Sequence, residues 1–355
     1  LRERVFDLLR WAGREGRAQT LLDALAAAHP HRPELAALAE ELRGPLNLPP
    51  LPIFDVPPAI VVHGGPGPVL FLSGAVHGDE IQGIEIVRRV LAHELLKSMS
   101  GTLLATPIVN AFGFLNHSRY MPDRRDLNRS FPGSPRGSLA SRLAHLFMTE
   151  IVARCDAGLD LHTGSNHREN LPQIRCNTDD PTTLAMAEAF APPVIVHSKL
   201  RAGSLRDACA KRGLPVLLLE AGEALRYAEY PIEVGVAGVR RTLAHLGMLR
   251  PTASHEPAPP PPGRPAPVIR SSTWVRSRRS GLVRFDVDLG ASVTVGERIG
   301  TVADAHGHTR SIVKSRTDGL VIGITRNPLV NQGDALVHLG EFADSGRGIA
   351  SDPTA

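Results

Sequence analysis

The stretch Pro68-Val69-Leu70-Phe71-Leu72-Ser73-Gly74-Ala75-Val76-His77-Gly78-Asp79-Glu80 decides the architecture of this 355-residue chain. Its first half is a short apolar run closed by glycine, the pattern of a buried strand. Glu80 then opens a helical pattern with apolar Ile81, Ile84, Ile86, Val87, Val90 and Leu91. His77 therefore stands on the loop leaving a strand end, and Glu80 lies about one helical turn further on, so both side chains reach one point. A second apolar run, Ala157-Gly158-Leu159-Asp160-Leu161, is followed by His162-Thr163-Gly164-Ser165-Asn166. Two strands of one open α/β sheet would bring these ends to the same edge, where such sheets place their ligands.

Two imidazoles and one carboxylate are the ligand set of a catalytic zinc that leaves a position open for water or substrate. A lone His-x-x-Glu is more often a surface or capping turn than a metal site. What lifts His77, Glu80 and His162 above that reading is the order of motifs around them: Arg119-Tyr120, then Arg125-Asp126-Leu127-Asn128-Arg129-Ser130-Phe131-Pro132-Gly133, and later Leu217-Leu218-Leu219-Glu220-Ala221-Gly222-Glu223.

With these motifs in this order, roughly residues 50 to 250 resemble the succinylglutamate desuccinylase/aspartoacylase family, a branch of the zinc carboxypeptidase-like fold. The resemblance implies a mixed eight-stranded sheet with helices on both faces. It also implies one zinc per chain on His77, Glu80 and His162, with Glu220 as general base and acid. Arg119 would polarise the scissile carbonyl, with Arg124 and Arg125 as competitors for that role. Asn128 and Arg129 would hold a substrate carboxylate.

The residue types suit this chemistry independently. A carboxylate within reach of an activated water takes its proton and passes it to the leaving amine, and Glu220 ends an apolar run that would project it from a buried strand. A planar guanidinium matches a carboxylate better than an ammonium does, which favours Arg129 as a clamp, although a structural ion pair with Asp126 or Asp160 would use the same residue. Asp79 and Asp160 flank ligands and are candidates to orient them, or are turn residues. His167, Arg168, Asn170 and Arg175 follow the third ligand; they read as substrate contacts, Arg168 foremost, or as a solvated loop.

Composition bounds the rest. At 42% hydrophobic and 21% charged, with a formal net charge of +4, the chain is of ordinary globular type. No block of basic residues interleaved with aromatics marks it for nucleic acid, and no apolar run reaches the roughly 18 residues of a membrane span. Neither an N-terminal signal core nor a disulfide framework is expected from the sequence and its three scattered cysteines, so the expected location is the cytoplasm.

Residues 1–45 are helical in pattern and read as an extension packed on the main domain or used in homo-oligomerisation. Residues 46–250 alternate strand and helix patterns and form the expected α/β hydrolase domain, with a mainly parallel sheet. Residues 251–268 are a proline-rich linker, 269–344 resemble a small lipoyl/biotinyl-like β-barrel, and 345–355 are expected to be a disordered tail. The barrel raises a rival reading as a prosthetic-group carrier, but its hairpin Ala303 to Arg310 has no lysine and Lys314 lies beyond the tip. The expected activity is zinc-dependent deacylation of an N-acyl amino acid or related small amide. A metallocarboxypeptidase acting on short peptides is the alternative that the same motifs allow.

Overall fold

The computed structural model describes residues 59–249, 266–308 and 310–342. The N-terminal extension, most of the linker and the tail lie outside the described residues. Those from Val61 onward belong to one compact unit.

The decisive stretch folds as its pattern dictates. β1 (Ile60–His63) precedes β2 (Val69–Gly74), which leads through the His77 loop into α1 (Gln82–Leu91). Leu70, Phe71 and Leu72 are all fully buried, so both faces of β2 are covered, as expected for a strand within a parallel sheet. β2 pairs with β3 (Thr102–Thr106) on one side and with β4 (Ala157–Gly164) on the other, both parallel to it. Between them lie α2 (Ala111–Leu115) and α3 (Leu139–Glu150). β5 (Arg168–Cys176), α4 (Pro181–Phe190), β6 (Val194–His197), α5 (Leu205–Ala210), β7 (Val216–Glu223) and α6 (Glu229–His245) complete the alternation. Helix starts follow local chemistry: Ser138, Asp180 and Ser204 each cap the first turn of α3, α4 or α5 with a side-chain oxygen.

Phe71 packs edge-on against Phe147 of α3 at 5.9 Å, within a core shared with Leu205 and Ala208 of α5. α1 and α4 both pack on α6. Removing a side chain such as Phe71 would cost about 3–5 kcal/mol by leaving a cavity.

The C-terminal segment departs from a free-standing barrel. It contributes β8 (Val268–Arg276), β9 (Gly281–Phe285), β10 (Ser292–Val293), β11 (Arg298–Ala303), β12 (Arg310–Lys314), β13 (Gly319–Thr325), β14 (Leu329–Val330) and β15 (Ala335–Phe342). The main sheet runs β1-β3-β2-β4-β7-β5-β6-β8-β15-β13-β10, eleven strands rather than eight, and β13 also pairs back to β5. The sheet is mixed: β5 is antiparallel to β7 and β13 but parallel to β6, which is parallel to β8. Strands β5, β6, β8, β15 and β13 thus close a ring, sealed by Leu171, Val194, Val196, Ile269 and Ile322. The physical reason is the unpaired backbone that β5 and β6 would otherwise expose. Among the described residues, only β12-β11-β9-β14 form a sheet of their own. Cutting the chain near Pro251 would strip partners from β5 and β6.

Candidate active site

His77 stands three residues beyond β2, on a loop pressed against α2. A Cβ on Gly78 would lie 1.9 Å from the Gly113 backbone, which only glycine tolerates. Glu80 precedes α1, and His162 lies within β4. The three side chains are 1–4% exposed and their ligand atoms fall within 4.8 Å of one another.

Both imidazoles turn Nδ1 inward. His77 Nδ1 is 2.8 Å from Glu80 Oε1, His162 Nδ1 is 2.6 Å from Glu80 Oε2, and the two Nδ1 atoms are 3.2 Å apart. The outward nitrogens are held by carboxylates: His77 Nε2 by Asp126 Oδ1 at 3.1 Å, and His162 Nε2 by Asp160 Oδ2 at 2.8 Å. Asp160 is fixed in turn by the Ser73 hydroxyl at 2.8 Å. This is the carboxylate–histidine pairing that orients metal ligands. Asp160 plays the part suggested by its position. Asp79 does not: one of its oxygens is buried without a hydrogen bond, and Asp126, 49 residues from His77, serves instead.

The electrostatics favour a cation. Burial alone would lower the pKa of both histidines, yet Glu80 with Asp126 raises that of His77, and Asp160 with Glu80 raises that of His162 well above the ordinary value. Burial works against ionisation of Glu80, but the two imidazoles hold its carboxyl well below the usual range. With neutral imidazoles, Glu80, Asp126 and Asp160 against the single guanidinium of Arg119 leave an excess of two negative charges. Two inward nitrogens and a carboxylate converging on one point, with that charge, fit a divalent ion.

Arg119 joins the cluster directly. Its Nη1 is 3.1 Å from Glu80 Oε1 and donates to the Ser165 hydroxyl at 2.7 Å, while Nε and Nη2 donate to Asp126. Arg124 and Arg125 are exposed and do not line the cleft. Glu220 sits beside His162, the two residues being register partners on β7 and β4. Asn170 donates to Glu220 Oε2 at 2.9 Å, and Arg175 Nη1 lies 3.5 Å from Oε1. Asn128 is buried, its side-chain oxygen accepting from Leu205 N at 2.9 Å. The Arg129 guanidinium donates to the Asn128 carbonyl and makes no ion pair with Asp126 or Asp160 among the described residues. His77, Glu80, His162, Glu220, Arg119, Asn128, Arg129 and Arg168 all line one cleft of about 550 Å³.

Residues 66–246 match the family model described as the succinylglutamate desuccinylase/aspartoacylase catalytic domain. The chain belongs to that family. Residues 1–43 match a second model, effector-associated domain 1. Among members of the family, the chain is similar to the N-alpha-acetyl-L-2,4-diaminobutyric acid deacetylase of Halomonas elongata, 29% identical over 81% of this chain and 86% of the relative. Its structure is similar to that of the product-bound ectoine utilization protein EutE from Ruegeria pomeroyi, with a TM-score of 0.70 at 26% identity over 79% and 87% of the two chains. The succinylglutamate desuccinylase/aspartoacylase of Rhodobacter sphaeroides gives 0.70 at 28% identity over 80% and 88%.

Arg168, Asn170 and Arg175, read as substrate contacts or as a solvated loop, line the cleft from β5, a strand. Sequence reasoning missed Trp274 and His338, which come from β8 and β15, beyond the region that matches the family model. His167 precedes β5 at a positive φ and is not in the cleft lining. The apolar Leu171, Ile174 and Cys176 within Arg168–Cys176 were the available signal for β5; nothing local to Trp274 or His338 pointed to the site.

Proposed function

We propose that the protein is a zinc-dependent amidohydrolase that removes the acyl group from an N-acyl amino acid or a related small carboxylate-bearing amide. The observation that carries this reading is the buried His77–Glu80–His162 set with Glu220 in register beside it, inside a cleft sized for a small molecule. Deacylating relatives and the family match support it. A zinc ion held by His77, Glu80 and His162 would supply Lewis acidity, polarising the amide carbonyl and lowering the pKa of water to roughly 7.

The chain's own groups do the rest. Asn170 pins one oxygen of Glu220, leaving Oε1 to receive the proton of the attacking water. As the C–N bond breaks, Glu220 returns that proton to the amine nitrogen, and the products are a carboxylate and a free amine. Arg119 places positive charge beside the metal ligands, where the carbonyl oxygen gains negative charge. Arg129 takes the substrate's free carboxylate beside Asn128, and Arg168 contacts the substrate from β5 in the same cleft.

The same reading keeps the enzyme in a reducing compartment, the cytoplasm. Cys155, Cys176 and Cys209 are unpaired, and burial pushes each thiol up to about 12. Residues 1–45 are assigned to association rather than catalysis, which the match to an effector-associated domain supports. The test is elemental analysis of purified protein combined with competition of N-acyl amino acids against dipeptides, read by mass spectrometry. About one zinc per chain with preferred release of the acyl group supports the proposal. Preferred dipeptide cleavage would make the enzyme a carboxypeptidase, and absence of bound metal would remove the mechanism.

A further inference from the structure

β4 hands over to β5 through the turn Ser165-Asn166-His167-Arg168, closed by Arg168 N donating to the Ser165 carbonyl at 3.3 Å. Asn166 and His167 both lie in the left-handed region, at φ 55° and 58°, which is unfavourable for residues with a side chain. The turn is pinned from outside. Arg326 N and the Thr325 hydroxyl, at the end of β13, donate to the His167 carbonyl, and Ala224 N donates to that of Gly164 at 2.9 Å. What this turn delivers to the site is the Ser165 hydroxyl, which accepts from Arg119 Nη1 at 2.7 Å and donates to Glu80 Oε1 at 2.7 Å. A hydroxyl does both at once because it carries one donor and two lone pairs.

Arg119 Nη1 has two further neighbours, Glu80 Oε1 at 3.1 Å and His77 Nδ1 at 3.2 Å. Both atoms belong to the set assigned to zinc. His77 turns Nε2 to Asp126, so its Nδ1 presents a lone pair, which a guanidinium can take as well as a metal ion. Arg119 is therefore a rival for the metal inside the site it serves. We propose that Ser165 is a positioning residue that keeps Arg119 from closing on the zinc ligands, leaving those ligands to the metal and the guanidinium to the substrate carbonyl. This role rests on the amidohydrolase reading, through zinc at His77, Glu80 and His162.

The hydrogen bonds support it by their number. Nη1 carries a pair of protons, and with Ser165 taking one, a single proton remains for Oε1 and Nδ1 together. Asp126 holds the other end of the guanidinium at Nε and Nη2, 3.2 and 2.9 Å away, so a swing of Nη1 is the movement left for Ser165 to stop. On Glu80, Oε1 receives both Ser165 and Arg119, while Oε2 receives Thr163 N at 3.2 Å and keeps a lone pair for an ion. Without the hydroxyl, Nη1 would regain a proton to place and Oε1 would lose a donor. Both changes draw Arg119 and Glu80 together, and Glu80 is buried, where such attraction is strong.

The test measures zinc affinity of the full chain, by competition with a chelating dye, in the wild type, Ser165→Ala, Arg119→Gln and the double variant. Ser165→Ala should bind zinc about tenfold or more weakly than the wild type. In the Arg119→Gln background the same substitution should change affinity by no more than about twofold, because no guanidinium remains to close on the ligands. Ser165→Thr keeps the hydroxyl and should stay close to the wild type. With zinc saturating, Ser165→Ala should lower kcat on the preferred N-acyl amino acid by about 10- to 100-fold with KM little changed. Unchanged zinc affinity in Ser165→Ala, an equal loss in both backgrounds, or a loss in Ser165→Thr matching that in Ser165→Ala overturns the proposal, as does a rise in KM with kcat kept. These outcomes leave the amidohydrolase reading standing, whereas a wild type that binds no zinc removes that reading and this role with it.

Discussion

Glu220→Gln isolates the proton-transfer role, because the substitution keeps volume and removes basicity. In the structure Asn170 donates to Oε2 at 2.9 Å, so the glutamine must keep its carbonyl oxygen there and turn its amide NH2 toward the position of Oε1. That position then presents donors only, with Arg175 Nη1 at 3.5 Å, and β7 no longer offers a proton acceptor there. A positioned general base contributes about 10²- to 10⁴-fold, equivalent to about 2.7–5.4 kcal/mol in the barrier. The folded state loses little, since the Arg175–Glu220 pair is partly exposed and worth about 1 kcal/mol or less. The melting temperature should therefore move by no more than about 3 °C. Steady-state release of amine, metal content by elemental analysis and thermal unfolding are measured on the same preparation. Near wild-type turnover with full metal would refute the reasoning. The neighbouring Glu223 would not rescue it as a substitute base, because it pairs with Arg226 at 2.9 Å and does not line the cleft.

Three other outcomes are expected. Asp160→Asn should weaken metal binding by about 10- to 100-fold, and His77→Ala or His162→Ala should abolish stoichiometric metal, both measured by competition with a chelating dye; full retention in all three would remove the metal assignment. Arg129→Lys should cost about 1.5–3 kcal/mol in kcat/KM on substrates with a free carboxylate and much less on their esters or amides, with equal losses on both pointing to a structural role. His338 has a folded pKa of about 3, below its ordinary 6.5, so its contribution to stability is complete above 6.5 and shrinks as pH falls toward 3. Between pH 7 and pH 5 the wild type should lose about 2 kcal/mol more than His338→Gln in urea unfolding, and parallel losses would show that this imidazole takes up protons freely in the fold.

The β2–loop–α1 unit was legible in residues 68–91 because its information is local. Apolar side chains on both faces mark a strand buried between layers, glycine permits the tight loop, and a 3.6-residue period marks the helix. The same holds for β6, for the helix starts capped by Ser138, Asp180 and Ser204, and for His162 and Glu220, each carried near the end of an apolar run. Register between parallel strands was not legible, and it is what sets Glu220 beside His162. β5 escaped recognition because its polar residues face a cleft, which in sequence looks like facing water. Asp126 and not Asp79 holds His77, and Trp274 and His338 wall the site, because chain closure brings together residues 49 to more than 200 positions apart. A strand's own residues encode which side chains share a face, but its hydrogen bonds are satisfied by whichever edge lies alongside. Only the folded chain decided that the edges of β5 and β6 are completed by β13 and β8, and with them the shape and charge of the cleft.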